Sequence, residues 1–387
     1  MNPFKQRILV GALAAAAALA ANAYAAEPIK IGVAVGLSGA NSVVAPAVVQ
    51  SSQLAVDEIN AAGGILGRKV QLEIADDASG AVGAQKAYDT LVFQKNVDAI
   101  VSMETSAARN AALPIVARGK KPFIYTSFYE GKSCSPWMYV NGWVPDQQVA
   151  PVVDYFQKAK GAKTFYLVGN DYAFGRGMLD FTAKYITLHG GTVIGEEYLP
   201  IDGTDWTPIL SKIRAAHPDA LISATAGGAP NVALAKQLKG AGMTLPYGNL
   251  AIDEGTAKSM GDVATGIYMS GSYLTSIDTP ANKRFLSAMD KRFGGRMKTP
   301  NELSEPQYEG IFLYKAAVEK AGSTDPAKVI KALGEVSFDG PRGPVTMDRS
   351  RHTPLAMRLG QIQADGAVKI LQTFPNVDPG VQCPNIK

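Results

Sequence analysis

The feature that most limits the fold of this chain is the regular alternation of short apolar segments with helical ones. Residues 99–131 show it most clearly, because Ala99–Met103 and Lys121–Tyr125 are apolar runs of the kind that parallel sheets bury. The small-residue segment between them is typical of a helix, and Thr105 and Ser106 are suited to cap its first turn. The sequence therefore predicts a βαβ unit, in which the loops at the carboxyl ends of the strands border a crevice and the helix start offers free N–H groups.

The same alternation runs through the rest of the chain, which at 387 residues is long enough for two domains. The other predicted strands are, in order, 30–35, 70–75, 164–168, 192–198, 219–224, 345–347, 356–362 and 368–373. Alternating strands and helices indicate two α/β domains of doubly wound design with parallel sheets. The helices at 282–293 and 305–321 are expected to return to the first domain, and the last strands are expected to close the second.

The N-terminus is typical of a secretory signal peptide. Lys5 and Arg7 precede an Ala-rich apolar run over 8–21, and Ala23-Tyr24-Ala25 has the form of a cleavage site. A membrane anchor is the alternative, but the run is shorter than the ~20 residues of a bilayer span. We therefore predict a signal peptide over 1–25 and a periplasmic mature protein. Its removal lowers the formal net charge from +4 to +2, a balance that gives no reason to expect nucleic acid as a partner.

The two cysteines, Cys134 and Cys383, both lie in the part of the chain that is expected to be exported. In an oxidising compartment a pair of cysteines favours a disulfide, although two unpaired thiols are the alternative. A bond between them would connect the C-terminal segment to the first domain.

Signatures of catalysis are missing. The Gly131-Lys132-Ser133 segment lacks the first glycine of a phosphate-binding loop, and Gly36-Leu37-Ser38-Gly39 stops one residue short of a nucleophile elbow. The three histidines, at positions 189, 217 and 352, have no metal-binding spacing. We therefore expect neither an enzyme nor a protein with a metal or cofactor, although an exported α/β enzyme stays open as a minor alternative.

Candidate ligand-binding residues follow predicted strands in both domains. If the two domains face each other across a cleft, the carboxyl ends of their strands converge there. The candidates chosen on this ground are Ser42, Ser106, Tyr125, Ser127, Tyr172 and Phe174.

Several segments of this chain resemble the exported solute-binding proteins of ABC importers, in the family of the leucine/isoleucine/valine-binding protein. The most specific are K-I-G-V-A-V-G-L-S-G (30–39), A-V-D-E-I-N-A-A-G-G-I-L-G-R-K-V (55–70), G-N-D-Y-A-F-G-R-G (169–177) and G-T-D-W-T-P-I-L-S-K-I (203–213). Within that family, S-F-Y-E-G-K-S-C-S-P (127–136), P-D-Q-Q (145–148) and G-S-Y-L-T-S-I-D-T-P (271–280) are closer to the short-chain amide and urea binders.

The resemblance implies a type I periplasmic-binding fold, in which two Rossmann-like lobes with parallel sheets are joined by three crossovers and close on a ligand like a hinge. It implies an N-terminal lobe of 26–147 plus 276–346, a C-terminal lobe of 148–275 plus 347–375, and a tail, 376–387, that returns to the N-terminal lobe. By motif, Ser106 and Ser127 take the places of pocket hydroxyls, and Tyr125, Tyr172 and Phe174 those of pocket aromatics. Amino-acid binders hold the ligand ammonium with an acid, for which Asp253, Glu104 and Glu254 are the candidates.

The expected function is capture of a small polar solute for an inner-membrane ABC permease, by a monomer. An amide, urea, an amino acid or a small carboxylate all remain open as ligands. The alternative from another functional class is a ligand-sensing module that works with a membrane sensor.

Overall fold

Two α/β lobes, each built around a parallel sheet, make up the described part of the chain. The structure is a computed structural model that describes residues 27–78 and 80–386, so the predicted signal peptide lies outside the described residues. The alternation of strands and helices predicted from the sequence is confirmed in both lobes.

The first lobe is formed by the N-terminal third of the chain. Its elements are β1 (Ile29–Val35), α1 (Ala45–Ala61), β2 (Val70–Asp76), α2 (Ala81–Asp89), β3 (Ala99–Ser102), α3 (Ser106–Gly119), β4 (Phe123–Tyr125) and β5 (Met138–Val140). The strands pair in parallel in the order β2-β1-β3-β4-β5. All four residues of β3 are buried, as expected for a strand that is covered on both faces.

The second lobe begins after β5. Its first elements are α4 (Pro145–Lys160), β6 (Thr164–Asn170), α5 (Ala173–Leu188), β7 (Thr192–Leu199), α6 (Thr207–Ala216), β8 (Ala220–Ala224), α7 (Ala229–Gly240), β9 (Tyr247–Asn249), α8 (Glu254–Met260) and β10 (Tyr268–Gly271). Pro145 stands in the first turn of α4, where its missing N–H costs no hydrogen bond.

The chain then returns to the first lobe and leaves it again. The elements that follow are α9 (Pro280–Phe293), α10 (Glu305–Ala321), α11 (Pro326–Leu333), β11 (Ser337–Gly340), β12 (Gly343–Thr346), β13 (Leu355–Ile362) and β14 (Val368–Val377). Helices α9 and α10 pack on α1, while β13 and β14 join the second sheet. The chain therefore passes between the two sheets three times.

The two sheets share one strand order. The second sheet runs β14-β13-β10-β9-β8-β6-β7, and its parallel part, read from β7 to β10, repeats the order of the first sheet. The order reverses between β1 and β3 in one lobe and between β6 and β8 in the other. At such switch points the loops diverge to opposite faces of the sheet and leave a crevice outside the carboxyl ends of the strands.

The second sheet departs from the predicted pattern at its edge. Strands β13 and β14 run antiparallel to their neighbours, whereas the sequence predicts parallel sheets. Strand β12, which lies at the predicted strand 345–347, pairs with β11 in a separate two-stranded sheet. Antiparallel neighbours need only a tight turn between them, and residues 363–367 supply it between β13 and β14.

A buried arginine holds the crossovers together. The guanidinium of Arg342 donates to Glu309 Oε2 at 2.9 Å, to Ser272 Oγ at 2.8 Å and to the Asn141 carbonyl at 2.8 Å. Asn141 and Ser272 lie where the chain leaves β5 and β10, so one side chain connects the first two crossovers. A charge with this many partners in a buried site favours a defined hinge geometry.

A disulfide joins the segment after β14 to the first lobe. Cys134 and Cys383 are bonded across a sequence separation of 249, which confirms the predicted bridge. Next to it, the Oε1 atom of Gln382 accepts a hydrogen bond from the backbone N–H of Lys132 at 2.9 Å. The path from β14 to Cys383 is thus a further connection between the lobes, beside the three crossovers.

Candidate functional site

A cavity lies between the lobes, outside the carboxyl ends of strands from both sheets. Its cavity volume in this arrangement of the lobes is about 20 Å³, roughly the space that one water molecule needs. The lining residues are Asn41 after β1, Met103 to Ser106 after β3, Ser127 and Phe128 after β4, Tyr172 and Phe174 after β6, Gly227 after β8, and Leu303. Both switch points, β1 with β3 and β6 with β8, therefore border one space.

The start of α3 gives the cavity its polar end. Thr105 caps the helix, since its hydroxyl accepts a hydrogen bond from Ala108 N at 3.2 Å. Ser106 is the first residue of the helix and is buried. The first backbone N–H groups of a helix have no partner inside it and sit at the positive end of its dipole, so this end of the cavity favours an oxygen of a ligand.

A buried ion pair supports the Ser106 side chain. Ser106 Oγ donates to Glu130 Oε2 at 2.5 Å, and Glu130 Oε1 accepts from Arg109 Nη2 at 2.7 Å. The Arg109 guanidinium lies over the rings of Tyr129, at 4.4 Å, and Tyr125, at 5.1 Å. Glu130 and two aromatic faces interact with the Arg109 guanidinium, so groups of the protein itself balance most of its positive charge.

Aromatic rings from both lobes form the apolar walls. Phe128 stacks on Trp143 with ring centroids 4.1 Å apart, and on its other side it approaches Phe174 at 5.5 Å. Tyr172 lies 6.0 Å from Phe174, and burial raises the pKa of its hydroxyl well above the usual value. The hydroxyl of Tyr172 is thus a neutral hydrogen-bonding group beside an apolar surface, an arrangement common in ligand pockets.

The loops of the two lobes approach each other closely around the cavity. A Cβ atom on Gly228, whose φ is +77°, would lie 2.8 Å from the Ala40 carbonyl oxygen across the cleft. A Cβ on Gly177, in α5 of the second lobe, would lie 2.5 Å from the Glu130 Cβ of the first. Contacts this close between lobes correspond to a closed arrangement of the hinge.

Glu104 is the acidic residue of the lining, and it is almost fully buried. Its Oε1 accepts a hydrogen bond from the Tyr88 hydroxyl at 2.7 Å, while its Oε2 has no hydrogen-bond partner among the described residues. Burial, followed by the negative charge of Asp77, raises the pKa of Glu104 well above its usual value.

The structure brings four of the predicted binding residues to the cavity, namely Ser106, Ser127, Tyr172 and Phe174. It places three outside the lining. Ser42 is exposed in the 3-10 turn Ala40–Val43, which turns Asn41 inward instead. Tyr125 is buried below the cavity, where its hydroxyl donates to the Glu104 carbonyl at 2.9 Å.

Asp253 is the third predicted residue outside the lining. It caps α8, with its Oδ1 accepting from Thr256 N at 3.0 Å and from Asn301 Nδ2 at 2.9 Å. Glu254, the other acid named with it, accepts from Thr275 N at 2.7 Å. Both carboxylates are therefore engaged in local structure.

Some lining residues were not among the predicted site residues. These are Asn41, Met103, Thr105, Phe128, Gly227 and Leu303. The signal for Phe128 was present, since it directly follows the chosen Ser127 in the run of hydroxyl and aromatic residues after β4. Nothing in the sequence pattern around Gly227 and Leu303 marks them as residues of a binding site.

The described residues contain no group of three or more His, Cys, Asp and Glu side chains placed to hold a metal ion. Among the helices that the structure describes, none is long and apolar enough to cross a bilayer.

Comparison with known proteins identifies the class that this fold and cleft define. Residues 28–367 match the family model described as periplasmic binding protein, so the chain belongs to the periplasmic binding protein family. The chain is 26% identical over 309 residues to Leu/Ile/Val-binding protein homolog 6 of Brucella melitensis, across 76% of this chain and 78% of that protein. The predicted family is thereby confirmed.

Solved structures show the same fold. A solute-binding protein of an ABC transporter from R. palustris, in complex with 4-hydroxybenzoate, superposes with a TM-score of 0.84 at 23% identity and covers 91% of this chain and 98% of that one. A leucine-binding protein from Thermotoga maritima gives a TM-score of 0.79 at 21% identity, with 90% of this chain and 99% of that one covered. These likenesses confirm the type I periplasmic-binding fold. Proteins of this family are periplasmic, bind small ligands and work with ABC permeases.

Proposed function

We propose that this chain is the solute receptor of an ABC importer, which captures a small polar solute between its lobes and presents it to an inner-membrane permease. The observation that supports this most directly is the cavity itself, because residues after β1, β3, β4, β6 and β8 border one space between the lobes. Residues 1–25 would direct export and be cleaved, and the mature protein would act as a monomer.

The solute would lie with its polar end toward α3 and its apolar body between the rings. Ser106, Ser127 and the first N–H groups of α3 would hold the polar end, in line with their place at the helix start. Tyr172 and Phe174 would cover the solute when the second lobe closes. Solutes of this shape include small carboxylates, amides, urea and short amino acids. One structural relative is a complex with 4-hydroxybenzoate and another is a leucine-binding protein. The set of solutes to be tested therefore includes aromatic acids and leucine.

The test is a thermal-shift screen of the purified mature protein, followed by calorimetric titration of each hit. A solute at about 100 times its Kd should stabilise the folded protein by about 2.7 kcal/mol and raise the melting temperature by a few degrees. The set should contain benzoate, 4-hydroxybenzoate, benzamide, acetamide, urea, leucine and isoleucine. If a hit binds the variants F174A and S106A as tightly as the wild-type protein, the solute does not occupy this cavity and the proposal is wrong.

A further inference from the structure

The cavity contains a carboxyl group that no cation of the lining balances. Glu104 has about 1% of its surface exposed, and the lining includes no lysine, arginine or histidine. An isolated carboxylate in such a site would pay a large desolvation cost. The group therefore needs either a proton or a positively charged partner.

The nearest cation is already engaged. Arg109 donates to Glu130 Oε1 at 2.7 Å and to Asn110 Oδ1 at 2.9 Å, and no hydrogen bond joins it to Glu104 among the described residues. A second acid, Asp77 after β2, is also buried nearby and raises the pKa of Glu104 further. The charge of Arg109 lowers the pKa of Glu104, but burial and the charge of Asp77 outweigh it, which favours the neutral form of one of the two acids.

The hydrogen bonds of Glu104 fit a protonated side chain. Tyr88 donates to Oε1, and the carbonyl oxygen of a neutral carboxylic acid can accept this bond as a carboxylate oxygen can. The Oε2 atom, without a partner among the described residues, would then bear the proton. A buried O–H group in this state must donate to something, and the space that Glu104 lines is the ligand cavity.

We propose that Glu104 acts as a neutral carboxylic acid that donates a hydrogen bond from Oε2 to an oxygen of the bound solute, and that the solute is a small aromatic or planar carboxylate without an ammonium group. The inference rests on the proposed function of the cavity and deepens it. The solute carboxylate would lie between the start of α3 and the O–H of Glu104, and its ring would pack against Phe128 and Phe174, whose centroids, 5.5 Å apart here, would separate to admit it. No charged side chain of the lining would be needed to balance the anion, because an O–H···O⁻ bond and a helix dipole would hold it.

Binding should then depend on pH through Glu104. The titratable or charged groups around it are Asp77 after β2, Tyr88 in α2, Arg109 in α3, Tyr125 in β4, Glu130 in the following loop, and Tyr172 of the second lobe. Above the pKa of Glu104 its carboxylate would repel an anionic solute. Affinity for benzoate should therefore fall as the pH rises through that value, whereas affinity for neutral benzamide should fall less.

The first measurement needs no ligand. Infrared difference spectra of wild-type protein minus E104Q, at neutral pH, should show loss of a protonated carboxylic-acid band and no loss of a carboxylate band. Loss of a carboxylate band would overturn the inference and leave the proposed function intact.

The second measurement is calorimetric titration with benzoate from mildly acidic to mildly alkaline pH. E104Q keeps an N–H donor at the same place, so its Kd should stay within about threefold of the wild-type value and lose its pH dependence. E104A removes the donor and should weaken binding by about tenfold or more. If E104Q abolishes binding, or if leucine binds and benzoate does not, Glu104 acts as an ionised acceptor and the inference is wrong. Failure of every solute in the screen would instead contradict the proposed function, and the infrared spectra would still decide the state of Glu104.

Discussion

Ser106 shows how one residue connects helix, ion pair and cavity. It opens α3, lines the cavity, and donates to the carboxylate that holds Arg109. Its position after β3 was predictable, because a polar cap after a buried strand marks the carboxyl edge of a parallel sheet. The ion pair behind it was not predictable, since Glu130 lies 24 residues further along the chain and only the fold brings the two together.

The matched variants S106A and S42A test the geometry of the site. S106A should weaken binding of the best solute by about tenfold, because it removes a hydrogen-bonding group from the polar end of the cavity. S42A should leave binding unchanged, because Ser42 is exposed outside the lining. Calorimetric titration of both proteins gives the comparison, and an equal loss of affinity in S42A would contradict this site geometry.

His352 should make the free energy of unfolding depend on pH. It is buried in the third crossover with its Nε2 2.6 Å from the Tyr129 hydroxyl, and burial lowers the pKa of its imidazole to about 4. The unfolded chain binds a proton near the usual pKa of about 6.5, so protonation favours unfolding. The contribution of His352 to stability is therefore complete above that value and declines as the pH falls from there to about 4.

Urea unfolding of wild-type protein and of H352N over this pH range measures the effect. H352N should be less stable at neutral pH and should decline less as the pH falls. The exposed His189 provides the control, and H189N should follow the wild-type curve. Parallel curves for H352N and the wild-type protein would contradict the role of His352.

At the scale of helices and strands, the long periodic segments were predictable and the short ones were not. Strand β1, predicted over 30–35, and helix α10, predicted over 305–321, lie within one residue of their observed bounds at all four ends, because their apolar patterns are long. Strands β9 and β10 have three and four residues and contain glycines, so they show no alternation that a sequence pattern can reveal. They exist because β8, which is parallel to β9, and β13, which is antiparallel to β10, supply hydrogen bonds to them.

The role of Asp253 was likewise not predictable from the sequence. A carboxylate after a strand can face a cleft or cap the next helix, and the sequence alone does not separate the two roles. The structure places it at the start of α8, bonded to Thr256 and Asn301.

We therefore expect D253A to lower stability rather than affinity. Loss of the cap and of the Asn301 contact should reduce the free energy of unfolding by about 1–3 kcal/mol. D253N should lose less, since asparagine is also a good cap. Thermal unfolding and titration with the best solute separate the two effects, and a stable D253A that no longer binds would make Asp253 a ligand residue after all.

At the scale of the whole molecule, ligand binding depends on the equilibrium between open and closed lobes. Gly177 of α5 meets Glu130 of the other lobe, and an alanine there would collide with it only when the lobes are closed. G177A should therefore favour the open form and weaken ligand binding in proportion to the lost closed population, with little effect on the folding of either lobe.

Small-angle X-ray scattering and titration test this expectation. G177A should keep a larger radius of gyration than the wild-type protein at equal ligand concentration, and its Kd should rise. The control is G240A, at the end of α7, where a new methyl group would meet nothing within 4 Å. Unchanged affinity in G177A would mean that Glu130 moves aside at little cost.

The bridge between Cys134 and Cys383 turns most of the molecule into a covalent ring. The ring contains β5, the whole of the second sheet and all three crossovers, whereas β1 to β4 lie on a branch outside it. A single proteolytic cut in any surface loop between the two cysteines would therefore open the ring without releasing a fragment. The two pieces of the cut chain would stay covalently joined until a reductant cleaved the disulfide.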